Sequence, residues 1–216
     1  MRTSNTGSQR WTNPRLLNNQ TLLKRSNRPY SSPNMKQILL IIAVVALVGG
    51  CGGKKRAKSP TVEIADPILE KAIRVKSQKP RNMELTERDL EYMTSLSFDD
   101  KKLTEVPKGL EKLTKLEWLD LQYNQLTDVK GLEKLTQLEV LYLGYNQLTD
   151  VKGLENLTQL ERLWLEGNKL TDVKGLEKLT QLKKLYLKDN PDLTKAQIAE
   201  LQKALSKCDI DHDAIK

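Results

Sequence analysis

Few residues in this chain could carry out covalent chemistry. Its one histidine, His212, belongs to no nucleophile or metal-ligand motif and reads as an exposed residue near the C-terminus. Cys208 alternates with Ile210, the pattern of a buried structural thiol in a short strand. Most carboxylates recur in solvated lysine–glutamate pairs such as Lys130–Glu133 and Lys152–Glu155. No catalytic residues, metal site or cofactor motif is expected, and the chain does not read as an enzyme. Two groups remain. One is the thiol of Cys51, which as a thiolate could accept a lipid. The other is a set of aromatic residues at related positions: Trp118, Tyr123, Tyr142, Tyr145, Trp164 and Tyr186. Rings with polar edges, if exposed together, suit contact with a protein or a sugar.

Cys51 stands at the end of an ordered series. Lys36 follows Met35, then Ile38 to Val48 is an uninterrupted apolar run of 11 residues, and Gly49 and Gly50 precede the thiol. The run fits a signal-peptide core and falls short of the ~20 residues a membrane-spanning helix needs. Val48-Gly49-Gly50-Cys51 resembles a bacterial lipobox. That resemblance implies a lipoprotein signal peptide over 35–50 and a mature N-terminus at a lipidated Cys51. Gly52 after the cysteine resembles the outer-membrane sorting pattern of a Gram-negative cell. Residues 1–34 have no periodicity and read as an upstream extension that is either mis-annotated or disordered. Residues 51–60 form a charged, glycine-containing tether.

Charge excludes one class of partner. Seven of the 36 basic residues and none of the 28 acidic ones lie in residues 1–50, leaving 29 against 28 in the remainder. The net charge of +8 is therefore a property of the leader, and the body carries no nucleic-acid footprint.

The elements that position the aromatics come from a repeat. LEWLDLQYNQLTDVKGLEKLTQ begins at Leu116, and close copies begin at Leu138 and Leu160, with a diverging fourth at Leu182. A fixed period of 22 is the signature of a solenoid. Apolar positions run Leu126, Val129, Leu132, Leu135, Leu138, Leu141 and Leu143. Steps of three suit 3₁₀-like turns and a step of two suits a strand. Each unit is expected to place a short strand on one side and turns on the other, with strands from successive units side by side in a parallel sheet. Asn124, Asn146, Asn168 and Asn190 recur and are expected to bond backbone groups inside the stack. Gly131, Gly153 and Gly175 are expected to relieve crowding in the turns.

This pattern, LxxLxLxxNxLxxVxxLxxLxx, resembles the 22-residue internalin-like class of leucine-rich repeat proteins. It implies an α/β solenoid with parallel strands on a concave face, 3₁₀-type turns on a convex face and helical caps at both ends. Residues 61–92 form the N-terminal cap, with helices from Asp66-Pro67 and over Thr86 to Met93. Residues 93–193 form the repeats. In the first repeat Lys101 stands where asparagine is expected. Residues 194–216 form the C-terminal cap, opened by a Thr194/Gln197 capping box and closed by a strand through Cys208 and Ile210.

On such a concave face the residue between the last two leucines forms one column: Ser97, Asp120, Tyr142, Trp164, Tyr186. Trp118, Val140, Arg162 and Lys184 form the next, with Tyr123 and Tyr145 beyond. Trp118, Asp120, Tyr123, Tyr142, Tyr145, Arg162, Trp164, Lys184 and Tyr186 are the candidate ligand contacts. Charge along the face runs from acidic (Glu117, Asp120, Glu139, Glu161) to basic (Lys183, Lys184, Lys188). The expected protein is a monomeric, lipid-anchored binding module of a bacterial cell envelope that recognises a protein, peptide or glycan. The alternative is a structural envelope lipoprotein whose aromatics serve only the sheet.

Overall fold

Leucine dictates the architecture. No single 22-residue unit can enclose its own apolar side, so burial requires stacking. The computed structural model describes residues 59–215. The extension, the signal segment, Cys51 and the tether as far as Lys58 lie outside the described residues.

Six three-residue strands form one parallel sheet in chain order: β1 (Ser95–Ser97), β2 (Trp118–Asp120), β3 (Val140–Tyr142), β4 (Arg162–Trp164), β5 (Lys184–Tyr186) and β6 (Asp209–Asp211). The register sets Leu96, Leu119, Leu141, Leu163, Leu185 and Ile210 in line. The first five point into a continuous core of leucines. Each buried leucine side chain contributes about 1.5–3 kcal/mol relative to exposure. Away from the sheet the chain makes 3₁₀ turns at Leu110–Lys112, Leu154–Asn156 and Leu176–Lys178.

The asparagine column is the ladder the sequence implied, with a definite direction. Asn146 accepts from the backbone N–H of Leu126 in the preceding unit (3.0 Å) and donates to the carbonyls of Leu121 (2.9 Å) and Leu143 (3.0 Å). Asn168 repeats this with Leu148, Leu143 and Leu165, and Asn190 with Leu170, Leu165 and Leu187. Asn124 closes the first unit, accepting from both Lys101 and Leu103. Lys101, in the asparagine position, needs no such role because no earlier repeat awaits it.

The turn acids differ from expectation. Glu133 and Glu155 are not partners of the preceding lysines. They accept from the backbone N–H of Gly131 (2.8 Å) and Gly153 (2.6 Å), as Glu111 and Glu177 do at Gly109 and Gly175. Lys130 and Lys152 lie instead against Asp128 and Asp150. Gly153 has φ +100°, a conformation closed to side-chain-bearing residues, so the glycine fixes the turn and the glutamate satisfies its donor.

Caps close both ends. Helix α1 (Pro67–Ser77) starts at Asp66, whose carboxylate accepts from Ile68 and Leu69. Leu69 and Ile73 are buried, whereas Ile68 beside them remains exposed. Helix α2 (Glu87–Glu91) is shorter than expected, and Met93 beyond it is already core to the first repeat. Helix α3 (Lys195–Ala204) has the predicted Thr194/Gln197 box and packs Ile198 and Leu201 inward. β6 then lies beside β5 as the final strand.

Candidate functional site

Strand register brings the aromatic residues together. Tyr142, Trp164 and Tyr186 are paired across β3, β4 and β5, and their rings stack with centroids 4.0 and 5.0 Å apart, 15° and 11° from parallel. Trp118 leans in from the adjacent column to meet Tyr142 at 5.7 Å and 59°. Tyr123 and Tyr145 form a second stack, 4.7 Å apart and 3° from parallel, and are the most exposed rings of the set. Among the described residues only Tyr92 and Phe98 lie outside this surface.

Arg162 and Lys184 are exposed beside the stack. Asp120 is not an open contact. It occupies its column position but is buried, and Gln122 donates to it from both its backbone and its side chain. Its carboxylate organises the start of the sheet.

The expected acid-to-base gradient does not hold. Lys183 lies 2.6 Å from Glu161, Lys188 lies 2.8 Å from Asp211, and Lys184 is 3.8 Å from Asp209. β6 supplies two of these acids and so neutralises the end that the repeat pattern alone makes basic. At the opposite end a groove of about 1240 Å³ runs between α1 and the sheet, from Ile68 and Val75 to Phe98 and Trp118, with Lys71 and Arg81 along it.

Sequence reasoning missed two features of this surface. The first is backbone strain. The residue before each ladder asparagine adopts a left-handed conformation, Tyr123 (φ 53°), Tyr145 (56°), Gly167 (66°) and Asp189 (56°), as does Asp100 (51°) before Lys101 in the first repeat. Aspartate and glycine tolerate that region, but a bulky tyrosine does not favour it. The dipeptide Tyr-Asn at a position that elsewhere reads Asp-Asn or Gly-Asn was the signal available in the sequence.

The second is Glu166. Its column equivalents are Gln122, Gly144 and Lys188. The carboxyl group rests over Gly144, where a β-carbon would come within 2.9 Å of it. Its Oε2 is shielded from solvent with no hydrogen-bond donor. Burial, aided by Asp189 and Asp211 and opposed by its own backbone N–H, raises its pKa above the ordinary 4.5. Tyr145 packs across Gly167 next to it, and burial followed by the charge of Glu166 raises the tyrosine's pKa.

The remaining candidate groups do not join the surface. Cys208 is buried, and burial pushes its thiol up to about 11, which disfavours the nucleophilic thiolate at neutral pH. His212 is exposed, as expected. Among the described residues no group of three or more His, Cys, Asp or Glu could hold a metal ion, and no helix is long and apolar enough to cross a membrane.

Comparison with known proteins agrees with this geometry. Residues 114–156 and 158–202 match the profile described as leucine rich repeats (2 copies). No curated protein matches the chain. Among solved structures, an internalin from Listeria monocytogenes is similar, with 30% identity and a TM-score of 0.63 over 71% of this chain and 45% of that one. A second Listeria monocytogenes protein, an internalin C2, gives 24% identity and a TM-score of 0.43 over 74% of this chain and 93% of that one. A leucine-rich-repeat protein from Leptospira interrogans gives 29% and 0.44 over 51% and 34%. The chain thus spans less than half the length of the first internalin, and its repeat region has the leucine-rich-repeat fold.

Proposed function

We propose that this chain is a non-enzymatic binding module that receives a protein or peptide on its concave aromatic face and is held at a bacterial cell envelope through a lipidated Cys51. The observation that carries the binding half is the pair Tyr123 and Tyr145. Both sit in a backbone conformation that costs a tyrosine about 1 kcal/mol or more, and both expose their rings. Core packing gains nothing from them, since the core is leucine. Exposed rings at a strained site are what a contact surface requires and what a scaffold would avoid.

The test replaces Tyr123, Tyr145, Tyr142 and Trp164 together with serine in the full chain, and circular dichroism checks the fold. Capture of an envelope protein by the wild type, lost in the folded variant, supports the reading. Equal capture by both would reject it. The anchor has its own test: metabolic labelling with a fatty-acid analogue should mark the wild type and not Cys51→Ala. The lipobox resemblance supports it, together with the order of charge, apolar run and small residues before the thiol.

A second reading has a specific observation in its favour. Tyr142, Trp164 and Tyr186 stack on one another, so part of their contact area is spent within the sheet. On that reading the protein is a structural envelope lipoprotein, and the Tyr123–Tyr145 pair, which stacks as well, is set apart by its exposure and its left-handed backbone.

A further inference from the structure

Glu166 lacks what the glutamates of the repeat turns have. Glu111, Glu133, Glu155 and Glu177 each accept a glycine N–H. Glu166 lies half-buried over Gly144, with Oε2 shielded and without a donor. Apart from its own backbone N–H, the groups that act on it are Asp189 and Asp211, both acids, and it in turn perturbs the phenols of Tyr123 and Tyr145. Lys188, the next residue of its column, is already engaged by Asp211 at 2.8 Å. The niche therefore gathers more carboxylates than cations, has the Tyr145 ring beside it over Gly167, and has its neighbouring cation, Lys188, drawn to Asp211 and not to Glu166. Its shape depends on two glycines. Gly144 leaves room for the carboxyl group, and Gly167 leaves room for the Tyr145 ring.

We infer that the niche at Glu166 receives a lysine or arginine side chain of a protein or peptide partner, the carboxylate pairing with the cation while Tyr145 and Tyr123 flank its stem. This rests on the concave-face reading and narrows it to a basic partner. A charged donor completes the missing hydrogen bond, and pairs of that kind are about twice as strong as neutral ones. Tyrosine rings attract the same cation, and long basic side chains lay their methylenes along such rings. Rotation about the last side-chain bond of a glutamate is soft, so either oxygen can turn to the incoming donor without backbone movement. Asp189 and Asp211 favour a cation and repel an acidic or phosphorylated partner.

The probes are end-capped tetrapeptides of lysine, of acetyl-lysine and of glutamate, titrated against the full chain at low ionic strength and followed by tryptophan fluorescence and calorimetry. Tetralysine should bind, acetyl-lysine and glutamate peptides should not, and Glu166→Gln should weaken tetralysine about tenfold. Glu133→Gln, on the convex turn, should leave binding unchanged. Saturation with tetralysine should also lower the pKa of Glu166, read from its carboxyl carbon by NMR, because a cation favours the ionised form. If tetralysine fails to bind, or binds Glu166→Gln as well as wild type, the inference is wrong. If binding survives Glu166→Gln but falls in a Tyr142→Ser/Trp164→Ser variant, the basic-niche assignment fails while the concave-face reading stands. If neither variant changes it, both fail.

Discussion

Glu155 and Glu166 belong to neighbouring parts of the same solenoid and show the two sides of the molecule in opposite states. On the convex turn, Glu155 accepts from its own and the Gly153 backbone N–H, and these bonds hold its pKa below the ordinary 4.5. On the concave side, Glu166 is desolvated without an adequate donor, and its pKa is raised. The convex turns repeat almost letter for letter and leave their polar groups satisfied. The concave strands and the loops behind them differ between copies, and there the unsatisfied acid and the strained tyrosines occur. Stability is concentrated where the copies agree, and the departures from it lie where they differ.

Four substitutions test that contrast. The largest effect is expected at the ladder. Asn146→Ala removes bonds to Leu126, Leu121 and Leu143 and leaves buried backbone groups unpaired, so it should cost about 3 kcal/mol in urea unfolding. Gly153→Ala forces a side chain into φ +100° and should cost about 2 kcal/mol by the same measurement. If either were neutral, the scaffold would not reside in the repeated half.

Glu166→Gln should instead stabilise, by about 1 kcal/mol at neutral pH, the lower end for a buried unpaired group because the site is partly solvated. The sign follows from its raised pKa. The folded state holds the proton more tightly than the unfolded chain, so wild-type stability falls as pH rises from about 4.5 through the folded pKa and then levels off. The advantage of the glutamine variant should therefore shrink on acidification and vanish below that window. An advantage independent of pH would contradict the desolvated-carboxylate account.

The smallest effect is expected at Tyr145→Asn. Relief of the left-handed backbone and loss of the stack on Tyr123 oppose each other, leaving stability within about 0.5 kcal/mol of wild type. A loss of several kcal/mol would make the ring a structural member and weaken the binding reading.

Much of this was legible in the sequence because leucine spacing reports burial directly. Leu126 to Leu143 gave the alternation of turn and strand, and the 22-residue period gave the stacking and therefore the register of the aromatic columns. Relations set by side-chain reach were not legible. Whether Glu133 turns to Lys130 or to the Gly131 N–H depends on backbone direction, which spacing does not encode. The charge gradient failed because Asp209 and Asp211 come from a strand outside the repeat, and its pairing with β5 neutralises lysines that the repeat pattern shows alone. Glu166 reads as one more surface acid until the empty position at Gly144 beneath it is seen.

The direction of the asparagine ladder has a consequence for how the chain acquires its shape during synthesis. Each asparagine completes the unit before its own: Leu126 waits for Asn146, Leu148 for Asn168 and Leu170 for Asn190. A parallel series of backbone donors also looks forward, Tyr145 N–H to Glu166 and Gly167 N–H to Lys188, and in the cap the Asp213 carboxylate accepts the equivalent N–H of Asp189. Ribosomes add about 5–20 residues per second, whereas local turns close in microseconds. On a growing chain the final donor of a unit therefore stays open for about a second or more until the next repeat emerges. Order should advance toward the C-terminus one repeat behind the ribosome, and the Asp189 N–H should find its acceptor only once Asp213 has emerged.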